Sequence, residues 1–350
     1  MSGGISQLVA IGAQDAFLTG NPEISFFRST YKRHTNFSHV TTRQVIQGNP
    51  SNNAMSTVRF ERKGDLLNHV YILSTTTSGV PKSIEWSSTS NLASVELLIG
   101  GQVIDTQYPD FAENIAPYLL AQNLAKSASG NRSSTSSYCP LRFSFFENCQ
   151  SAIPLVALQY HDVEIRINWG SSIDADTSFE VYADFVYLDT EERQLLLNNP
   201  QNILMTQVQK AVKTNNKLVD LSFNHPIKYL TMSNTSTDSS TIFDSSAKIK
   251  LQINGVDIDD FKHTMPHFAS ASCYYHAPFS TGVDTELALI PFCLDTSKIQ
   301  PTGSLNFSRL DSARLMCEGG ANVKFDKDFY GVNYNVLRIQ NGMGGLMFAN

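Results

Sequence analysis

No apolar run in this 350-residue chain approaches the ~20 residues that a helix needs to cross a bilayer, so a membrane-spanning helix is excluded. The amino terminus lacks the basic-then-apolar layout of a secretory signal, and the expectation is a soluble protein made in the cytosol. Charge is sparse: charged residues are 17% of the chain and the formal net charge is -6. Proteins that grip nucleic acid through its phosphates carry a basic surface, so direct binding of a genome is not expected. Cysteine is scarce and irregularly placed. Cys139, Cys149, Cys273, Cys293 and Cys317 are odd in number and form no CxxC pair, which argues against a disulfide framework or structural zinc and for buried free thiols.

Catalytic constellations are missing too. There is no GxSxG elbow, HxH pair or HExxH helix. His161 and Asp162 are neighbours in a strand-like run, where successive side chains point to opposite faces and cannot act as a base and its orienting acid. His263 and His267 have helical metal-ligand spacing, but Pro266 lies between them. Asp257, Asp259 and Asp260 lack the glycine and distal glutamate of a calcium loop, and Gly342-Met343-Gly344-Gly345 is followed by no helix that would hold a phosphate. No catalytic residue, cofactor or metal is expected, and the class is a structural or binding protein rather than an enzyme. Four Asn-x-Ser sequons occur. Such sequons arise commonly by chance and the chain lacks a secretory signal, so Asn131 and Asn234 are weak glycosylation candidates.

What the chain does have is strand-forming sequence: 21 Phe, 13 Tyr and frequent turns. Its length suits two domains. Alternating patterns predict strands at 56–60, 70–76, 93–99, 141–146, 155–159, 163–169, 179–188, 248–253, 287–293, 304–307, 313–317 and 334–339, with 218–231 opening the second half. A helix broken at Pro117 is expected over 110–126, capped by Asp110. A second, packed helix start is expected at Asp189 to Arg193, with its acids in the first turn. Two segments recur in order about 150 residues apart. SVELLIGGQVIDTQYPDF from Ser94 parallels KIKLQINGVDIDDFKHTMPHF from Lys248, and LVALQYHDVEIRI from Leu155 parallels GSLNFSRLDSARLM from Gly303. The expectation is a duplicated domain of about eight short strands per copy, which suits a jelly roll.

The run Gly12 to Ser38 is interrupted by Thr19-Gly20-Asn21-Pro22 and continues as an extended segment in which aromatics alternate with cations. It reads as a strand with Ile24, Phe26 and Tyr31 toward a core and Arg28, Lys32, Arg33 and His34 outward, either as an edge protected by cations or as a binding patch. Residues 1–24 read as an arm that orders on docking, followed by a first roll over 25–197, a polar connector over 198–216 and a second roll over 217–350.

The TGNP turn, VELLIGGQVID, PLRFSFFENCQSAIPLVALQYHDVEI, VYLDTEERQLL, LSFNHPIKYL, QPTGSLNFSRLDSARL and NYNVLRIQNGMGGLMFAN resemble, in order, the major capsid proteins of nucleocytoplasmic large DNA viruses. The resemblance implies an all-β fold of two tandem eight-stranded antiparallel jelly rolls with short helices in the connections. It implies a homotrimeric, pseudo-hexagonal capsomer in an icosahedral virion shell, made in the host cytoplasm and meeting neighbouring capsomers, minor capsid proteins and an internal membrane. On that resemblance Arg28, Tyr31, Lys32 and Arg33 are candidates for assembly at the shell's inner face. A minor capsid or vertex protein of similar fold, and a carbohydrate-binding or hydrolytic double jelly roll, are the alternatives.

Overall fold

The computed structural model describes residues 3–87, 89–127, 137–235, 240–279, 285–320 and 322–349. Contacts divide the chain into two units, Met1–Asn36 and Phe37–Asn350. The first holds two short helices, Gly3–Val9 and Asp15–Thr19, and its described residues are exposed. The strand expected from Ile24 does not form. Strand backbone needs a neighbouring strand to satisfy its N–H and C=O groups, and 24–36 pairs with none among the described residues. The arm therefore extends beyond 24, and the first sheet strand begins at Phe37.

Sixteen main strands follow among the described residues. In the first half they are β1 (Phe37–Gln44), β2 (Met55–Arg59), β3 (Leu66–Thr76), β4 (Leu92–Ile99), β5 (Gln102–Gln107), β6 (Tyr138–Pro140), β7 (Val163–Trp169) and β8 (Thr177–Leu188). In the second they are β9 (Gln201–Ala211), β10 (Leu218–Asp220), β11 (Pro226–Thr235), β12 (Lys248–Ile253), β13 (Val256–Asp257), β14 (Thr285–Pro291), β15 (Ala313–Glu318) and β16 (Phe329–Gln340). The first eight build two antiparallel sheets, ordered β1-β8-β3-β6 and β2-β7-β4-β5. Adding eight to every number gives the second pair, β9-β16-β11-β14 and β10-β15-β12-β13. The fold is a double jelly roll. Both recurring segments fall on matching strands: the β4–β5 and β12–β13 hairpins, then β7 and β15.

Each roll closes on its own core. Val58, Ile72, Leu97, Ile165 and Phe185 are among the residues that fill the first. The second is filled by Leu230, Ile249, Leu315, Phe325 and Phe329 with their neighbours. The alternation on β7, with Val163, Ile165, Ile167 and Trp169 buried between half-buried polar residues, is why it forms a half-exposed strand.

Several expectations need correction. Residues 141–146 are not a strand: Ser144–Glu147 makes one helical turn that buries Phe145 and Phe146 side by side, which period-2 geometry forbids. Residues 155–159 form turns rather than a strand. The supposed connector 198–216 contains β9, fully paired with β16. The break between rolls is instead the helix Thr190–Asn198, whose first N–H is capped by Asp189 at 2.7 Å with Glu191 and Glu192 in the first turn. That helix buries no residue, contrary to the packed start expected; the Arg193 guanidinium, 3.1 Å from Asp65, ties it to the first roll.

Candidate assembly surfaces

The two rolls are joined over the outward face of the sheet β9-β16-β11-β14. Residues facing away from the second core, Tyr229, Leu287, Leu289, Tyr330 and Val332, pack against Phe111, Ile115, Tyr118 and Leu119 of the first roll. Those four side chains sit on the expected broken helix, a π-helical stretch Phe111–Ile115 followed by an α-helical turn Ala116–Leu119 in which Pro117 occupies the first turn. Asp110 does not cap it; its carboxylate accepts from the Tyr330 hydroxyl at 3.4 Å. Tyr330 also lies against the rings of Phe111, 5.7 Å away, and Tyr108, 6.1 Å away.

Polar groups finish the joint. Asp105 on β5 accepts from Val208 N–H on β9 at 3.0 Å and from Thr106 N–H at 2.9 Å. Burial pushes its carboxyl up to about 7. The Gln207 amide donates to the Ile104 carbonyl and accepts from Asn335 at 2.8 Å. Lys228 on β11 is buried. Its ammonium donates to the carbonyls of Thr296 at 2.7 Å and Lys298 at 2.8 Å, faces the Tyr334 ring, and is lowered to about 8 by burial.

The carboxyl-terminal hairpin is a second clamp. Met343–Leu346 pairs with the end of β16 across a two-residue turn, Asn341-Gly342, in which both residues have positive φ, the geometry that suits tight hairpins. A Cβ on Gly344 would sit 2.6 Å from Leu158 of the first roll, and His161 Nδ1 lies 2.8 Å from the Gly344 carbonyl oxygen. The glycines thus serve close approach between the rolls. Leu337 and Ile339 on β16 enter the first roll's core, with Leu346 packed against it.

The remaining sequence candidates scatter. Arg28, Tyr31, Lys32 and Arg33 are exposed in the arm, as are Ile24, Phe26 and Phe27. Asn131 lies outside the described residues. Asn234 is corrected as a glycosylation candidate: it is buried, and its amide nitrogen donates to Glu286 at 2.8 Å. Asp162 pairs with Arg59 and Arg62, and Asp257 accepts from Lys250 at 2.7 Å. Cys273, Cys293 and Cys317 are buried free thiols, the Cys273 thiol pushed up to about 12 by burial; Cys139 is buried with its sulfur accepting from the Trp86 indole N–H, and Cys149 is exposed.

Sequence reasoning missed Asp105, Gln207, Lys228 and Asn335, since their types signal surface, and only their place on strands facing another roll makes them interior. It also missed the outward face of β1-β8-β3-β6. There Asp184, almost fully buried, accepts from Asn68 at 2.9 Å and Thr41 at 3.2 Å, with His39 Nδ1 at 3.3 Å and His69 Nδ1 at 3.6 Å. Burial holds His69 below the usual imidazole range against the pull of Asp184. Beside this cluster Tyr182 stacks, with centroids 5.6 Å apart, on Tyr71, which lines a concavity of about 740 Å³.

Two family models cover most of the chain: "Major capsid protein N-terminus" matches residues 25–189, and "Large eukaryotic DNA virus major capsid protein" matches 192–345. Their division falls at the helix between the rolls. The major capsid protein of Pyramimonas orientalis virus is 34% identical, and that of Paramecium bursaria Chlorella virus 1 is 28% identical, each alignment covering 100% of both chains. Among solved structures, a chain of the PBCV-1 virus capsid superposes with a TM-score of 0.78 at 25% identity, covering 93% of this chain and 100% of that one. The Faustovirus major capsid protein shares the fold, with a TM-score of 0.64 at 10% identity over 94% of each chain. With both rolls matched and the joint between them in place, this chain belongs to the major capsid protein family of large eukaryotic DNA viruses.

Proposed function

We propose that this protein is the building block of an icosahedral virion shell, and that three copies form one pseudo-hexagonal capsomer. The observation that carries this reading is the repeated strand order: each chain presents two similar wedges held by a buried joint, so three chains present six. Such a tile meets neighbouring capsomers along comparable edges. Its role is structural and not enzymatic, in keeping with relatives named as capsid proteins and with ionisable groups spent on the joint.

The arm residues Arg28, Tyr31, Lys32 and Arg33 are assigned to the inner side of the shell, where cations and exposed aromatics suit acidic minor capsid proteins or anionic lipid headgroups. With a net charge of -6, the chain makes no direct sequence-specific contact with the genome. The protein is synthesised in the host cytoplasm and resides in the virion capsid. Sedimentation of purified protein tests the central claim: a particle of about 116 kDa, three times 38.7 kDa, is expected, and monomer alone at micromolar concentration overturns it.

A further inference from the structure

The joint inside one chain is a template for a contact between chains. The element of the first roll that covers β9-β16-β11-β14 lies between β5 and β6. The second roll carries its own version at the matching place, between β13 and β14: the π-helical stretch Thr264–Ala271 followed by the α-helix Ser272–His276. Both elements run from π-helix to α-helix, which is unusual enough to mark them as counterparts. The third and fourth residues of the first α-helical piece are Tyr118 and Leu119, 4% and 0% exposed against the neighbouring roll. In the second piece they are Tyr274 and Tyr275, 82% and 75% exposed.

The complementary surface is present as well. Strand for strand, β1-β8-β3-β6 matches the covered sheet β9-β16-β11-β14. Its outward face bears the half-buried Tyr71, Leu73, Tyr138 and Tyr182, and three of these line the concavity of about 740 Å³. Among the described residues, neither Tyr71 nor Tyr182 belongs to the apolar cluster that joins the rolls. The Asp184 cluster holds β1, β8 and β3 in fixed relation beneath it.

We infer that Thr264–His276 of one copy covers the outward face of β1-β8-β3-β6 in the next, with Tyr274 and Tyr275 entering the concavity. The contact between copies then repeats the contact between rolls, and a ring of alternating internal and external joints closes after three chains. Tyrosine suits the role, because a stacked aromatic face receives its ring while its hydroxyl stays near water. This inference rests on the trimeric reading and adds which surfaces make it.

Two variants test it beside the wild type. The double substitution Tyr274→Ala/Tyr275→Ala is expected to leave the circular dichroism spectrum unchanged and to reduce the sedimenting mass from three chains to one. In the second, Tyr274→Cys is treated with a short bismaleimide. Cys149 lines the concavity and is the exposed native cysteine, so covalent dimer and trimer bands are expected on a denaturing gel, lost again when Cys149→Ser is added. A wild type of three chains whose double-alanine variant remains trimeric, or whose Tyr274→Cys variant gives no Cys149-dependent bands, overturns this contact and leaves the trimer standing. A wild type found only as monomer overturns the trimer itself and this contact with it.

Discussion

The Asp105 carboxylate of the first roll accepts a hydrogen bond from the Val208 backbone N–H of the second at 3.0 Å, in a buried position. The two wedges of the subunit are therefore coupled through a group whose charge changes near neutrality. A carboxyl raised from 3.8 to about 7 binds its proton more tightly in the folded chain than in the unfolded one. Its contribution is fully present below pH 3.8 and is lost as pH rises toward 7. The stability advantage of wild type over Asp105→Asn should shrink by about 3 kcal/mol between pH 5 and 7.5, read from urea unfolding at each pH. A pH-independent difference would show that Asp105 is ionised throughout.

Lys228 carries the opposite sign. Its ammonium is lowered from 10.5 to about 8, so between those values the unfolded chain holds more protons and stability rises with pH. The advantage of wild type over Lys228→Met should grow by about 3 kcal/mol from pH 8 to 10.5. The same unfolding measurement decides it.

Gly344→Ala places a methyl group 2.6 Å from Leu158 and 3.3 Å from Ile99, both within the first core. Overpacking of this kind destabilises by about 1–3 kcal/mol. Ala at Gly101, where a Cβ meets nothing but φ is +81°, separates backbone strain from this steric effect. Chemical denaturation of both variants should show the larger m-value change, reporting a released hairpin, only for Gly344→Ala.

Removing residues 1–36 takes away a unit whose described side chains are exposed, and leaves both cores whole. The truncated protein should melt at the wild-type temperature and sediment with the same number of chains per particle as the wild type, yet fail to form closed shells when viewed by electron microscopy. Loss of the melting transition would place the arm in the core.

The sequence spoke most clearly where one face of a strand meets a core. Val163 to Trp169 and Lys248 to Ile253 coincide with their strands, and the glycine hairpins fell in the right places, because alternation and turn chemistry are local signals. It misled where a side chain answers to a distant surface. Residues 201–211 looked like a linker, since Gln207 and Gln209 are polar; Gln207 is inward because another roll lies against it. Ile24 and Phe26 have strand-like spacing, yet among the described residues no strand pairs with them. The arm's candidate role came from resemblance to relatives and not from its pattern, whereas the joint residue Asp105 and the buried Lys228 of the second roll gave no signal at all.

The hairpin that ends the second roll sets an order on biosynthesis. A ribosome that has released β1 to β8 has supplied every strand of the first roll, but not Leu337, Ile339 or Leu346, which complete its interior. Until about 150 further residues emerge, the first roll waits with an unfilled flank, at elongation rates of roughly 5–20 residues per second. For some ten seconds or more the nascent chain presents sticky surface in a compartment filling with identical copies. The duplicated architecture thus makes each half dependent on the other's last residues, and the yield of shells should respond to chaperone supply more steeply than the stability of the finished subunit would suggest.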